Sequence, residues 1–252
     1  MTPDGYLQNI LTRESVDTDL FSPIRGVQAA LEPTIREWAG NRLLNVSPSG
    51  SFAKGTANLS GTDIDLFISL SPDTVEPLKE IYSKLFNWMN SRGYSPRRQN
   101  VSINVRVNGY DVDLVPGKRQ DHYSTDHSLY RRRADTWMKT NVATHVNYIR
   151  QSGRASEIRI LKLWRNQKGL DFPSFYLELT ALKALIGRYG TLAGNVWQVL
   201  EYLRDNFVNA RVLDPANTNN IVSDDLTIAE RLKIKAAADK ARQATNWGEI
   251  VK

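Results

Sequence analysis

The segment V-S-I-N-V-R-V-N-G-Y-D-V-D-L-V, Val101 to Val115, constrains the fold more than any other stretch of the chain. Val101, Ile103, Val105 and Val107 alternate with polar residues, and after Asn108-Gly109 the alternation resumes with Tyr110, Val112 and Leu114. Side chains on a strand point to opposite faces in turn, so each run offers one apolar face to a core. Asn-Gly between two such runs marks a two-residue hairpin, because both turn residues need positive φ. The predicted register sets Val107 opposite Tyr110, Arg106 opposite Asp111 and Asn104 opposite Asp113. Arg106 gives Asp111 an opposite charge across the pair. Asp113 gains none, which leaves it available to a metal. Its strand runs into Val115-Pro116, and Gly117 is expected to end the hairpin.

Upstream lies S-G-S-F-A-K-G-T-A-N-L-S-G-T-D-I-D-L-F-I, Ser49 to Ile68. Asn45 to Pro48 is expected to be extended, and Thr62 to Leu70 to be a strand. On it Asp63 and Asp65 share one face, while Ile64, Leu66 and Ile68 share the other. Adjacent carboxylates repel unless a cation neutralises them, and oxygen-only ligands favour Mg²⁺ or Mn²⁺ over zinc. Asp113 is the third carboxylate. Gly50 permits close backbone approach to a ligand, and a helix starting near Ser51 would turn N–H groups toward an anion. Taken singly, these are an ordinary turn and an exposed acidic pair. Together they are the parts for phosphoryl or nucleotidyl transfer.

Helical periodicity covers much of the remainder. It is expected over Asp17 to Trp38, with Leu20, Ile24, Val27, Leu31 and Ile35, and over Pro77 to Arg92, with Leu78, Ile81, Leu85, Trp88 and Met89. Later helices are expected at Arg154 to Lys168, Thr191 to Asn206 and Thr227 to Thr245. Pro173 to Arg188 is apolar nearly all round, which predicts a buried helix. Arg159, Lys162 and Arg165 recur every three residues as a basic stripe opposite Ile158, Leu161 and Trp164, the pattern of a solvated face. Strands precede helices, so the fold class is α+β. A mixed-sheet lobe with an N-terminal helix, residues 1–135, is followed by a helical lobe, 136–252, joined around Lys118 to Thr140. The active site is expected in the cleft.

The 252 residues carry a formal charge of +6, which favours anionic partners. Cysteine is absent, so disulfides and thiolate metal sites are excluded. No apolar run approaches the roughly 20 residues that span a bilayer, and Met1 to Ile10 lacks a signal-peptide pattern. A cytoplasmic protein without a membrane partner is expected. His122, His127 and His145 fit no zinc spacing. Arg97-Arg98 and Arg131-Arg132-Arg133 suit either an oligonucleotide backbone or plain surface charge.

The Gly-Ser plus D-x-D block, with V-D-L-V-P at Val112 to Pro116, resembles the signature of the DNA polymerase β-like nucleotidyltransferase superfamily. W-M-K-T-N-V-A-T-H from Trp137, R-I-L-K-L-W-R from Arg159, F-P-S-F-Y-L-E-L from Phe172 and D-P-A-N-T-N-N from Asp214 resemble one branch of it. That branch holds oligoadenylate synthases, archaeal CCA-adding enzymes and bacterial cGAS/DncV-like nucleotidyltransferases (CD-NTases). Relatives commonly carry proline where Val142 stands. The resemblance implies that Asp63, Asp65 and Asp113 bind two Mg²⁺ ions, or Mn²⁺, and are catalytic. It implies that Gly50, Ser51 and Lys162 hold the triphosphate, and that Phe175 or Tyr176 stacks on the base. The implied partners are nucleoside triphosphates, with an oligonucleotide acceptor and a downstream effector protein as further ones. The chain stops at Lys252, soon after one more helix, whereas CCA-adding relatives carry additional domains. The expected activity is therefore template-independent synthesis of short cyclic or linear oligonucleotides as a signal in bacterial antiviral defence. The alternatives are terminal addition to tRNA or another acceptor, and nucleotide-binding regulation without catalysis.

Overall fold

A computed structural model describes residues 1–17, 22–61 and 63–252. In chain order come α1 (Pro3–Arg13), α2 (Pro23–Ala39), β1 (Leu43–Pro48), α3 (Gly50–Lys54), β2 (Ile64–Leu70) and α4 (Leu78–Ser91). They are followed by β3 (Arg97–Arg98), β4 (Ile103–Val107), β5 (Tyr110–Arg119), β6 (His127–Arg131) and β7 (Thr136–Thr140). Then come α5 (Val142–Gln151), α6 (Ala155–Gln167), α7 (Ser174–Ala184) and α8 (Leu192–Asp205). The chain closes with β8 (Leu213–Asp214), β9 (Asn217–Ile221), α9 (Ile228–Arg242) and α10 (Trp247–Ile250). These elements pack as two compact units interleaved in sequence. One comprises residues 17–54 and 62–146, the other 1–16, 55–61 and 147–252. The two lobes expected from the sequence were each continuous.

The 17–54/62–146 unit is built on a mixed sheet of seven described strands. Its main path runs β1-β2-β5-β4-β3, and β6 pairs with β5 and β7. Only the β2–β5 pairing is parallel among those described. The hairpin register is the predicted one, with Arg106 opposite Asp111 and Asn104 opposite Asp113. Asn108 and Gly109 take φ of 51° and 85°, as the tight turn demands. Ile64, Leu66, Ile68, Val112 and Leu114 are fully buried, and α2 and α4 pack against the sheet. From α2 come Ile24, Val27, Leu31 and Ile35, and from α4 Ile81, Tyr82, Leu85 and Met89. Leu20 and Thr62, both included in sequence expectations, lie outside the described residues.

Two expectations about this sheet are corrected. Gly117 does not end β5, which continues to Arg119. A Cβ at Gly117 would lie 2.5 Å from Phe67 Cζ, so the glycine makes room for a ring on β2. The stretch 118–140 is not a joint but part of the sheet, since β5, β6 and β7 zip together through it. Its turn carries Asp135 at a φ of 47° in place of a glycine, so the usual hairpin mark is missing.

The helical unit is held by one apolar cluster contributed by α1 and α5 to α10. From α1 come Leu7, Ile10 and Leu11. The Arg159 guanidinium donates to the carbonyls of Leu11 and Glu14, and Tyr6 Oη donates to Val251 O. The small β8–β9 hairpin belongs to this unit. Among the described residues no helix is long and apolar enough to cross a membrane.

Candidate functional site

The parallel pairing of β2 with β5 sets Asp65 directly beside Asp113. Both side chains are part-exposed, between fully buried neighbours Ile64, Leu66, Val112 and Leu114. Strand alternation therefore turns the two carboxylates to one face of the sheet and the apolar residues to the other. Asp63 stands just before β2 and is exposed. Asp113 is not left without partners, as the hairpin argument implied. It accepts from Asn104 Nδ2 at 2.8 Å, Gln99 Nε2 at 3.0 Å and Ser102 Oγ at 3.3 Å, all neutral donors. Burial, with the charges of Asp63 and Asp111, raises its pKa above the ordinary carboxylate value, against the opposing pull of Asn104 and Ser102. Asp111 faces Arg106 in register but forms its ion pair with Arg97, at 2.9 Å.

The glycine turn is welded to this acidic strand. Ser49 N donates to Asp65 O at 2.8 Å. Gly50 has a φ of 55°, and a Cβ there would come within 1.7 Å of Asp65 Oδ2. No other residue can take that backbone position without displacing the carboxylate. Gly50 opens α3, a helix of five residues that includes Ser51. The structure thus joins the Gly-Ser turn, Asp65 and Asp113 within one unit.

The oxygen donors of Asp63, Asp65 and Asp113 suit a hard divalent cation. Mutual repulsion, which contributes to the raised pKa of Asp113, is what a cation would relieve. Among the described residues no three acidic or histidine side chains already converge closely enough to hold one. The donor chemistry of the three carboxylates fits such an ion.

Lys162 lies in the helical unit and is not on a solvated stripe. Its residue is 4% exposed. Its ammonium meets Glu178 Oε1 at 2.6 Å and Thr56 Oγ1 at 2.9 Å, and Thr56 Oγ1 also donates to Glu178 at 2.9 Å. Arg159 is tied to Asn58 and α1, and Arg165 to Phe172 O and Ser174 Oγ. Helical spacing identified a basic row, but α1, α7 and the 55–61 segment contribute partners to it. Glu178 and Thr56 were missed as partners of Lys162. A carboxylate inside a helix that is apolar nearly all round was the available signal, since a buried acid requires a cation.

Phe175 is partly buried against the core. Tyr176 is fully buried between Phe172 and Phe207, with ring centroids 5.2 and 5.3 Å away. It presents no face to a base. Burial pushes its phenol up to about 12. The basic clusters have local contacts as well. Arg98 lies over the Phe86 ring at 3.9 Å, and Arg132 Nε donates to Gln99 O at 3.0 Å. His127 pairs with Ser69 and Thr125, and His122 with Asp73.

No protein-family model matches the chain. A cyclic AMP-AMP-AMP synthase of Escherichia coli strain MS 115-1 is 26% identical over 186 residues, covering 66% of this chain and 58% of that protein. The chain thus aligns with less than two thirds of that relative. The CD-NTase CdnG of Bradyrhizobium diazoefficiens, solved with GTP, superposes with a TM-score of 0.75 at 15% identity, covering 99% of this chain and 96% of CdnG. The Cid1 poly(U) polymerase, solved as an H336N mutant bound to MgATP, gives 0.70 at 11% identity, covering 95% and 93%. The chain thus shares its fold with these two structures, and its sequence is similar to that of the cyclic AMP-AMP-AMP synthase.

Proposed function

We propose that this chain, a CD-NTase homologue with the polymerase β-like nucleotidyltransferase fold, joins nucleoside triphosphates into short oligonucleotides without a template. The product, cyclic or linear, would serve as a signal in bacterial antiviral defence, made in the cytoplasm and read by an effector protein. The observation that carries the reading is the register of β2 on β5, which pairs Asp65 with Asp113 under the Gly50 turn. Homology to a cyclic oligonucleotide synthase supports it.

In this reading Asp63, Asp65 and Asp113 hold two divalent cations, Mg²⁺ or Mn²⁺. Bound there, the cations supply charge neutralisation at the triphosphate and acidify the attacking hydroxyl. Gly50 and Ser51 lie against the phosphate tail. A sugar hydroxyl oxygen attacks the α-phosphorus in line, and a phosphodiester bond forms as the bond to the β-phosphate oxygen breaks. Pyrophosphate leaves, and the hydroxyl proton passes to the acidic cluster or to water. The family resemblance assigns Lys162, now paired with Glu178, to the triphosphate, and it assigns Phe175, in place of the fully buried Tyr176, to the base.

The test is incubation with Mg²⁺ or Mn²⁺ and each ribo- and deoxyribonucleoside triphosphate, with products identified by mass spectrometry. Oligomers formed without an acceptor are expected. Extension only of added tRNA or another acceptor would favour terminal addition instead, and binding without turnover would favour a regulator. Full activity in Asp63→Ala, Asp65→Ala and Asp113→Ala alike would sink the metal-site assignment.

A further inference from the structure

The helical unit contains a cavity of about 660 Å³ that shares no residue with the candidate site. Its rim carries Arg154, Lys183, Arg188 and Arg211, and no carboxylate is among its described lining residues. Two of these cations fix the backbone that presents the other two. Arg154 donates to Arg188 O, and Lys183 donates to Arg211 O at 2.9 Å. Arg154 also meets Glu157 at 3.2 Å, so one positive charge is offset locally. Arg188 and Arg211 are exposed. Tyr148 and Tyr189, 49% and 97% exposed, stand on the same cavity. Leu179, Leu182 and Val212 line its apolar part.

We infer that this cavity binds a nucleoside phosphate. Cations that outnumber acids select an anion, and arginine forks match phosphate oxygens in pairs. Exposed tyrosine rings beside an apolar wall select a flat aromatic group, and base-on-aromatic stacking is tolerant of sequence. A concave site of this volume suits one small ligand, which favours a nucleotide over an extended acidic peptide. The ligand can come from two sources, a free mononucleotide or the end of a single-stranded oligonucleotide. Either would make the helical unit a sensor of nucleotide or product level. The inference does not depend on catalysis at Asp63, Asp65 and Asp113.

Calorimetric titration in EDTA tests it, with AMP and a five-residue oligoadenylate as probes, and phosphate and polyglutamate as controls. Wild type and an Asp63→Asn/Asp65→Asn variant should bind AMP or the oligoadenylate alike. Arg188→Glu/Arg211→Glu should weaken that binding by about tenfold or more, and Tyr189→Ala by about fivefold or more, with thermal unfolding unchanged. Tighter binding of the oligoadenylate than of AMP would identify a strand end as the source, and the reverse a mononucleotide. Equal binding by wild type and both cavity variants would overturn the proposal. So would binding of phosphate or polyglutamate as tight as that of either adenylate probe. Inactive protein that still binds in this way would count against the proposed synthesis alone.

Discussion

At the scale of single residues, Gly50 and Asp113 carry the sharpest consequences. Gly50→Ala combines a left-handed backbone with a Cβ placed 1.7 Å from Asp65 Oδ2. Gly40 has a similar φ of 58° and nothing within 4 Å, so Gly40→Ala carries the backbone strain alone. Each should lose about 1–2 kcal/mol of stability from the strain. Only Gly50→Ala, by displacing the Asp65 carboxylate of the proposed site, should also lower the proposed synthesis, by about a hundredfold or more. Denaturant unfolding and initial rates measured on both variants separate the two effects.

Asp113 gives the opposite sign. Its folded pKa is raised, so below it the folded state holds more protons than the unfolded chain. Metal-free stability should therefore fall as pH rises from the ordinary carboxylate value through the raised one. Asp113→Asn removes that loss and keeps an oxygen for the Asn104 and Gln99 donors. In EDTA at neutral pH it should melt at a higher temperature than wild type, while losing the proposed synthesis when metal is present. A lower melting temperature would show that the carboxylate is held comfortably by its hydrogen bonds.

At the scale of elements, what the sequence made legible follows from what periodicity measures. The β4–β5 register and its Asn-Gly turn were readable because strand alternation and turn chemistry are local. Spacing also located α2, α4 and α6 to α9 within a few residues at most ends. It could not say what covers a helix face, which is why Lys162 read as solvated although Glu178 and Thr56 enclose it. Nor could it find β6 and β7, whose Arg131-Arg132-Arg133 and Asp135 lack turn glycines. The α6–α7 contact can be tested by a double-mutant cycle. Glu178→Met leaves the Lys162 ammonium buried without its carboxylate, Lys162→Met does the reverse, and each should cost about 3–5 kcal/mol. Lys162→Met/Glu178→Met should recover most of that, as measured by urea unfolding. Additive losses in the double variant would mean that the pair is not coupled.

At the scale of the whole chain, the first sixteen residues fold with the last hundred. Leu7, Ile10 and Leu11 sit in the same cluster as Ile158, Leu200 and Ile250. Glu14 O accepts from Leu59 N, and Glu14 Oε2 from Ser60 N. Asp4 Oδ1 accepts from Ala193 N. The sequence reading predicts no helix over residues 1–16 and places them in the sheet lobe, because order along the chain is its only guide to packing; its N-terminal helix, Asp17 to Trp38, does lie in the sheet unit. The physical consequence is that a contiguous 136–252 fragment lacks the α1 side chains that fill its core, together with Thr56 beside Lys162. It should expose apolar surface and unfold without cooperativity. Fusing residues 1–16 to it through a flexible linker should restore part of the transition. In the intact chain Leu7→Ala should cost about 2–5 kcal/mol, the range for a fully buried leucine. Calorimetry on the two fragments and the point variant decides the matter: a cooperative melt of 136–252 alone, with Leu7→Ala neutral, would remove α1 from the helical core.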